Sequence, residues 1–99
     1  MPLKLRRDLP EFAVRTVQEE GWDGLRNGEL LRKASAAFDV FVTADQRLQH
    51  QQNISLFAVA VVVIETFDTK LANLRTMLPQ LRRAIAGSSP GTITIVKPA

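Results

Sequence analysis

At 99 residues, with 45% hydrophobic and 6% aromatic side chains, the chain predicts one globular domain spanning 1–99, with a core of Val, Leu, Ile and Ala. A formal charge of +3, spread along the chain, permits nucleic-acid binding without demanding it. The lack of cysteine excludes disulfides, thiolate metal sites and a cysteine nucleophile.

The first residues carry no apolar signal-peptide core. The longest apolar run, Leu56 to Ile64, is nine residues, against the ~20 that a spanning helix needs. The expectation is a cytoplasmic protein with no membrane segment. In chain order, Leu3 to Leu9 is short and mixed, and Pro10 ends any helix there by forcing its predecessor out of the α region. Phe12-Ala13-Val14-Arg15-Thr16-Val17 is rich in β-formers and predicts a strand over 12–17. Gly21 and Gly24 mark turns around Trp22.

Asn27 is a candidate N-cap. Leu30, Leu31, Ala34, Ala37 and Phe38 then form a helical stripe, with Arg32, Lys33 and Ser35 on the other face. A strand over 39–43 follows, and it delivers Asp45 to the point where the strand stops. Ala44 to Gln52 is polar and predicts a short helix anchored by Leu48. Ala58 to Ile64 is nearly continuous β-branched residue, as in a parallel strand covered on both faces.

Asp68 or Thr69 can cap the next helix, whose stripe runs through Leu71, Leu74, Leu78, Leu81 and Ile85. Pro79 interrupts it, predicting a kink or two abutting helices, and Gly87 should end it at C′. Ser88 to Gly91 is a turn, and 92–96 alternates as an edge strand. Strands alternating with helices imply right-handed crossovers. The fold class is therefore α/β, a three-layer α/β/α arrangement around a small, mainly parallel sheet.

In such sheets ligands gather at the carboxyl ends of the strands. Asp45 belongs there, with Glu65 just after the buried strand. The competing reading of Asp45 is a carboxylate that caps the following helix. For Glu29 the helix dipole is the stronger explanation. Asp23 and Asn27 read as polar loop residues. His50, the single histidine, has no partner at zinc-ligand spacing. Trp22 either stacks on a base or packs onto the sheet. No Gly-x-Ser-x-Gly elbow, Walker loop or dinucleotide fingerprint is present, which disfavours triad hydrolases and nucleotide-binding domains.

Val40-Phe41-Val42-Thr43-Ala44-Asp45-Gln46-Arg47-Leu48 resembles the strand and Thr-x-Asp-x-x-Phe/Leu motif of PIN-like domains, in particular small stand-alone bacterial ones. Val14 to Gln18, Gly21 to Leu25, Asn27 to Leu31, Gln51 to Asn53 and Leu78-Pro79 extend the likeness, in order, over nearly the whole chain. The resemblance implies a Mg²⁺- or Mn²⁺-dependent ribonuclease, often the toxin half of a toxin–antitoxin pair with an antitoxin-like protein partner. Hard cations want oxygen ligands, and two such ions clamp the attacking water and the leaving oxygen.

Carried over by position, Asp45 and Glu29 match catalytic, metal-binding acids, and Glu65 is a third candidate ligand. Arg47, Gln51, Gln52 and Asn53 are candidates to touch RNA, against an Arg47 that simply pairs with a neighbouring acid and a plain polar loop at 51–53. The family's opening strand, with its Asp-Glu-x-x-Pro, has no counterpart here, so the expectation is an N-terminally truncated PIN-like sheet, with either an internal start at Met1 in a longer natural protein or a truncated relative. Losing a central strand leaves backbone edges open, so a homo-dimer or larger assembly is expected. The alternative is a non-catalytic interaction module, a degenerate relative that binds a protein partner or RNA.

Overall fold

The computed structural model describes residues 3–51, 53–66 and 70–98. A 3-10 turn over Leu3–Asp8 leads into an irregular segment. Then come helix α1 (Asn27–Ala37), strand β1 (Val40–Thr43), the single-turn helix α2 (Leu48–Gln51) and a 3-10 turn at Ile54–Leu56. Strand β2 (Ala60–Ile64), helices α3 (Leu71–Thr76) and α4 (Leu78–Ala86), and strand β3 (Ile93–Val96) complete the order.

The three strands form one parallel sheet in the order β1-β2-β3. Val42 lies opposite Val62, and Val62 opposite Thr94. All five residues of β2 are buried, as their continuous apolar run requires of a strand with a neighbour on each edge and a layer on each face. Because side chains alternate along a strand, Val62 and Ile64 enter one core with Leu74, Met77 and Leu81 of the α3–α4 side. Val59, Val61 and Val63 enter the other, with Leu31 and Ala34 of α1 and Leu48 of α2. Helices therefore cover both faces of a small α/β sheet.

Pro79 divides its helical stretch as its missing N–H demands. The chain breaks at Met77 between α3 and α4, and the proline sits in the first turn of α4, where no donor is needed. Leu48 is the buried anchor of α2. Gly91 turns the chain into β3 with φ +78, and its N–H donates to the Val59 carbonyl at 3.1 Å. The expected cap at Asp68 or Thr69 lies outside the described residues.

Three expectations are corrected. The stretch 12–17 is not a strand. It bends at Phe12 and enters a turn at Val17 without a ladder partner, and Phe12 and Val14 pack against the α3–α4 core. Its end is set by a local competitor: the Thr16 N–H donates to Glu19 Oε1 at 3.0 Å, and the Glu19 N–H donates to Thr16 Oγ1 at 3.1 Å. This reciprocal Ser/Thr-x-x-Glu pairing turns the chain instead of extending it. Asn27 is the first residue of α1 and Arg26 precedes it as the cap, with no side-chain cap bond. Gly87 closes α4 at φ −93, so no left-handed C′ residue is used there; its N–H returns to the Arg83 carbonyl.

Charged pairs fasten the N-terminal segment to the helices. Arg75 meets Asp8 at 2.8 Å and Arg82 meets Glu11 at 3.0 Å. Arg82 also donates to the Asp8 carbonyl. Arg6 bridges to Glu19 at 2.9 Å. These pairs are solvent-exposed, so they orient the segment more than they stabilise it.

Candidate functional site

Strand β1 ends at Thr43, and the two residues that follow are fixed by short-range bonds. The Asp45 N–H donates to Thr43 Oγ1 at 3.0 Å. Asp45 Oδ1 accepts from the Arg47 N–H at 3.0 Å, an Asx turn that reverses the chain ahead of α2. The Arg47 guanidinium closes the arrangement as a fork, with Nε to Oδ1 at 3.0 Å and Nη2 to Oδ2 at 3.1 Å. Asp45 thus sits at the carboxyl edge of the sheet, half-buried, with both oxygens engaged by a largely exposed arginine. It makes an Asx turn rather than capping α2.

The Arg47 side-chain bonds hold the Asp45 carboxyl below the usual carboxylate range. Partial burial opposes this, and the Arg47 backbone N–H and the Asn27 amide add to the lowering. The Arg47 guanidinium is raised in return. At neutral pH the group is a carboxylate paired with a cation that solvent can compete for.

The other sequence-predicted residues are placed less closely. Glu29 is exposed in the first turn of α1. Glu65 follows β2 at the same sheet edge, half-buried, and its N–H donates to the Val96 carbonyl at 2.8 Å. Among the described residues no group of three or more His, Cys, Asp or Glu side chains stands close enough to hold a metal ion. Glu29, Asp45 and Glu65 are therefore not gathered into one carboxylate cluster. His50 is exposed on α2, and Asn53 is exposed with its Oδ1 accepting from Ser55 Oγ at 2.6 Å. Gln51 closes α2, its side chain outside the described set, and Gln52 lies outside the described residues. Trp22 packs edge-on against Phe38, centroids 6.0 Å apart at 81°, and joins the α1-side core, which favours packing over base stacking.

The larger feature is a groove of about 1080 Å³ along the outer edge of β1. Its floor is Val40 to Thr43. One wall carries Leu81 and Ile85 of α4, and the other Leu30, Ala34 and Ala37 of α1. The irregular stretch 12–18 closes the far side, and Asp45 and Asn27 lie on its lining. Sequence reasoning anticipated open backbone edges but neither this groove nor the Asn27–Asp45 contact. That contact depends on how the α1–β1 connection folds back, which no local pattern encodes. No protein-family model, no curated protein and no solved structure matches the chain.

Proposed function

We propose that the chain is a PIN-like domain that works as an interaction module for a protein partner rather than as a ribonuclease. One observation carries the reading: the carboxylate at the end of β1 is occupied on both oxygens by the Arg47 fork, and among the described residues no three-acid group includes it. Divalent cations of the Mg²⁺ and Mn²⁺ class take several oxygen ligands, and the paired-ion clamp that cleaves phosphodiesters takes more. A carboxylate in a fork is instead an ordered, charge-balanced surface feature.

A second reading keeps a specific support. The lowered carboxyl of Asp45 at the sheet's carboxyl edge suits a metal ligand, with Glu29, Glu65 or acids of a second copy completing the set for RNA cleavage. That reading carries with it the homo-dimer or larger assembly. Calorimetric titration of Mn²⁺ into wild type and Asp45→Asn separates the two. The module reading expects no saturable binding in either chain. Saturable binding that vanishes in Asp45→Asn, followed by metal-dependent RNA cleavage, overturns it in favour of the nuclease.

A further inference from the structure

Residues 6–20 cross the α3–α4 side of the molecule without joining the sheet. Among the described residues, every backbone-to-backbone hydrogen bond they make falls within residues 3–22; Leu9 donates to the Arg6 carbonyl, Phe12 to that of Leu9 and Glu20 to that of Thr16. The segment is tied to itself by charge, with Arg6 on Glu19 at 2.9 Å and Arg15 on Glu20 at 3.1 Å, besides the Thr16–Glu19 pairing. Side chains hold it to the body. Leu9 is buried in the core with Met77 and Leu81, and Phe12 and Val14, both half-buried, pack against that core. The exposed pairs Arg75–Asp8 and Arg82–Glu11 add to the attachment, with the Arg82 bond to the Asp8 carbonyl.

The segment ends at a joint. Trp22 is seated against Phe38 in the α1-side core, and glycines flank it, Gly21 at φ +73 and Gly24 at φ +89. An added Cβ at either would meet nothing within 4 Å, so neither is packed in. Without a Cβ of their own, both can change backbone conformation at little steric cost. We propose that residues 6–20 are a strap that lifts as a unit about Gly21 and Gly24 while the sheet and helices stay folded, with the Arg75 and Arg82 ion pairs as its clips. The proposal goes beyond the interaction-module reading and does not depend on it. In the closed position the strap supplies one wall of the groove beside β1, Phe12 and Val14 included. Lifting it removes that wall and bares the Leu81 side of the α3–α4 core.

The balance of forces favours opening here before anywhere in the sheet. Strand β2 has five buried residues and a ladder on each edge. Every strap residue, by contrast, gives up backbone freedom when the strap is held down. Against that cost stand one buried and two half-buried apolar side chains. Both clips are solvent-exposed, hence weak and screened by salt. Segments with few buried apolar contacts lie at the low end of local stability. Ionic strength should therefore set how often the strap is open.

The chain has no cysteine, so Leu9→Cys supplies a single thiol that reacts when the strap leaves the core. Its labelling rate, set against the same thiol in an unfolded peptide, gives an opening constant. Amide exchange at Val61, whose N–H donates to the Thr92 carbonyl at 2.9 Å within the sheet, gives the constant for the domain. The Leu9→Cys constant should exceed that of Val61 at least tenfold and depend far less on urea, because little surface is exposed. Val14→Ala should raise it several-fold, since the strap leaves as one piece. Raising salt from ~0.05 to ~0.5 M should raise it about twofold or more. Arg75→Ala with Arg82→Ala should raise it further and remove most of the salt response. Val63→Ala, in the core on the opposite face, should speed exchange at Val61 and leave Leu9→Cys unchanged. Should Leu9→Cys not fold, wild-type amide exchange at Leu9 and Phe12 reads the same opening.

Equal opening constants at Leu9 and Val61, with the same urea dependence, overturn the proposal, since the strap then leaves only with the whole domain. So does a Leu9→Cys rate indifferent to Val14→Ala, which means fraying of one residue. A rate indifferent both to salt and to loss of Arg75 and Arg82 overturns it as well, because the ion pairs then hold nothing.

Discussion

Val42 and Val62 lie opposite each other across β1 and β2 and point to the same face of the sheet. Truncation to alanine removes the same methyl groups from both and costs the same intrinsic strand preference, so their difference reports surroundings alone. Val62 is fully buried; Val42 is half-buried and borders the groove. At Val62 the lost transfer energy is about 1.6 kcal/mol, at ~0.8 kcal/mol per carbon. A closed residual cavity, at ~24 cal/mol per Å³, raises the total to about 2–3 kcal/mol. At Val42 part of the side chain already meets solvent and the new space opens into the groove, so the cost is about 1 kcal/mol.

Urea unfolding followed by Trp22 fluorescence reads the difference. With a slope of roughly 1–3 kcal/mol/M, the two variants' midpoints separate by about 1 M, Val62→Ala being the lower. For a domain stable by ~5–15 kcal/mol both variants should still fold. Equal losses at the two positions would refute the reasoning, because they would mean that the outer flank of β1 is as well covered as its inner one.

Gly91→Ala should destabilise by about 1–2 kcal/mol in the same assay, the cost of a left-handed conformation for an L side chain. Space is not the cause there, since an added Cβ would meet its nearest atom, the Ser55 carbonyl oxygen, at an ordinary 3.6 Å. Because the folded Asp45 carboxyl is depressed below its unfolded value, its stabilising contribution is present in full above about pH 5. It is lost as pH falls past ~3.9 and through the lowered folded value. The stability difference between wild type and Asp45→Asn should shrink over that acid range and stay flat at neutral pH; a gap unchanged down to acid pH contradicts the pairing. Arg47→Ala should move the Asp45 carboxyl up toward the ordinary range, followed by carboxyl-carbon NMR titration, and Asn27→Ala should move it in the same direction by less.

Features decided by short-range pattern were legible in the sequence. The β-branched run through Ile64 could only be a covered strand, Pro79 had to divide its helix, and the Thr43–Asp45 junction fell at the end of β1. The strand over 12–17 was misread because β-propensity describes fit to a neighbouring strand rather than a preference of the isolated backbone. Without that neighbour, the Thr16–Glu19 pairing decides the local fold. Whether Glu29, Asp45 and Glu65 converge was beyond local reading, because they stand on different elements whose spacing is set by crossover geometry. The pairing of Arg47 with a neighbouring acid was one of its two sequence readings, and the structure shows it as a fork on Asp45.

Amide exchange in the free chain tests the open β1 edge most directly. Because the Ala60 N–H donates to the Asp39 carbonyl in a parallel ladder, the N–H groups of Phe41 and Thr43 face β2 and, by alternation, those of Val40 and Val42 face the groove. The expected result alternates residue by residue, slow at Phe41 and Thr43 and fast at Val40 and Val42. Uniform protection across Val40 to Thr43 in dilute protein would contradict an open β1 edge.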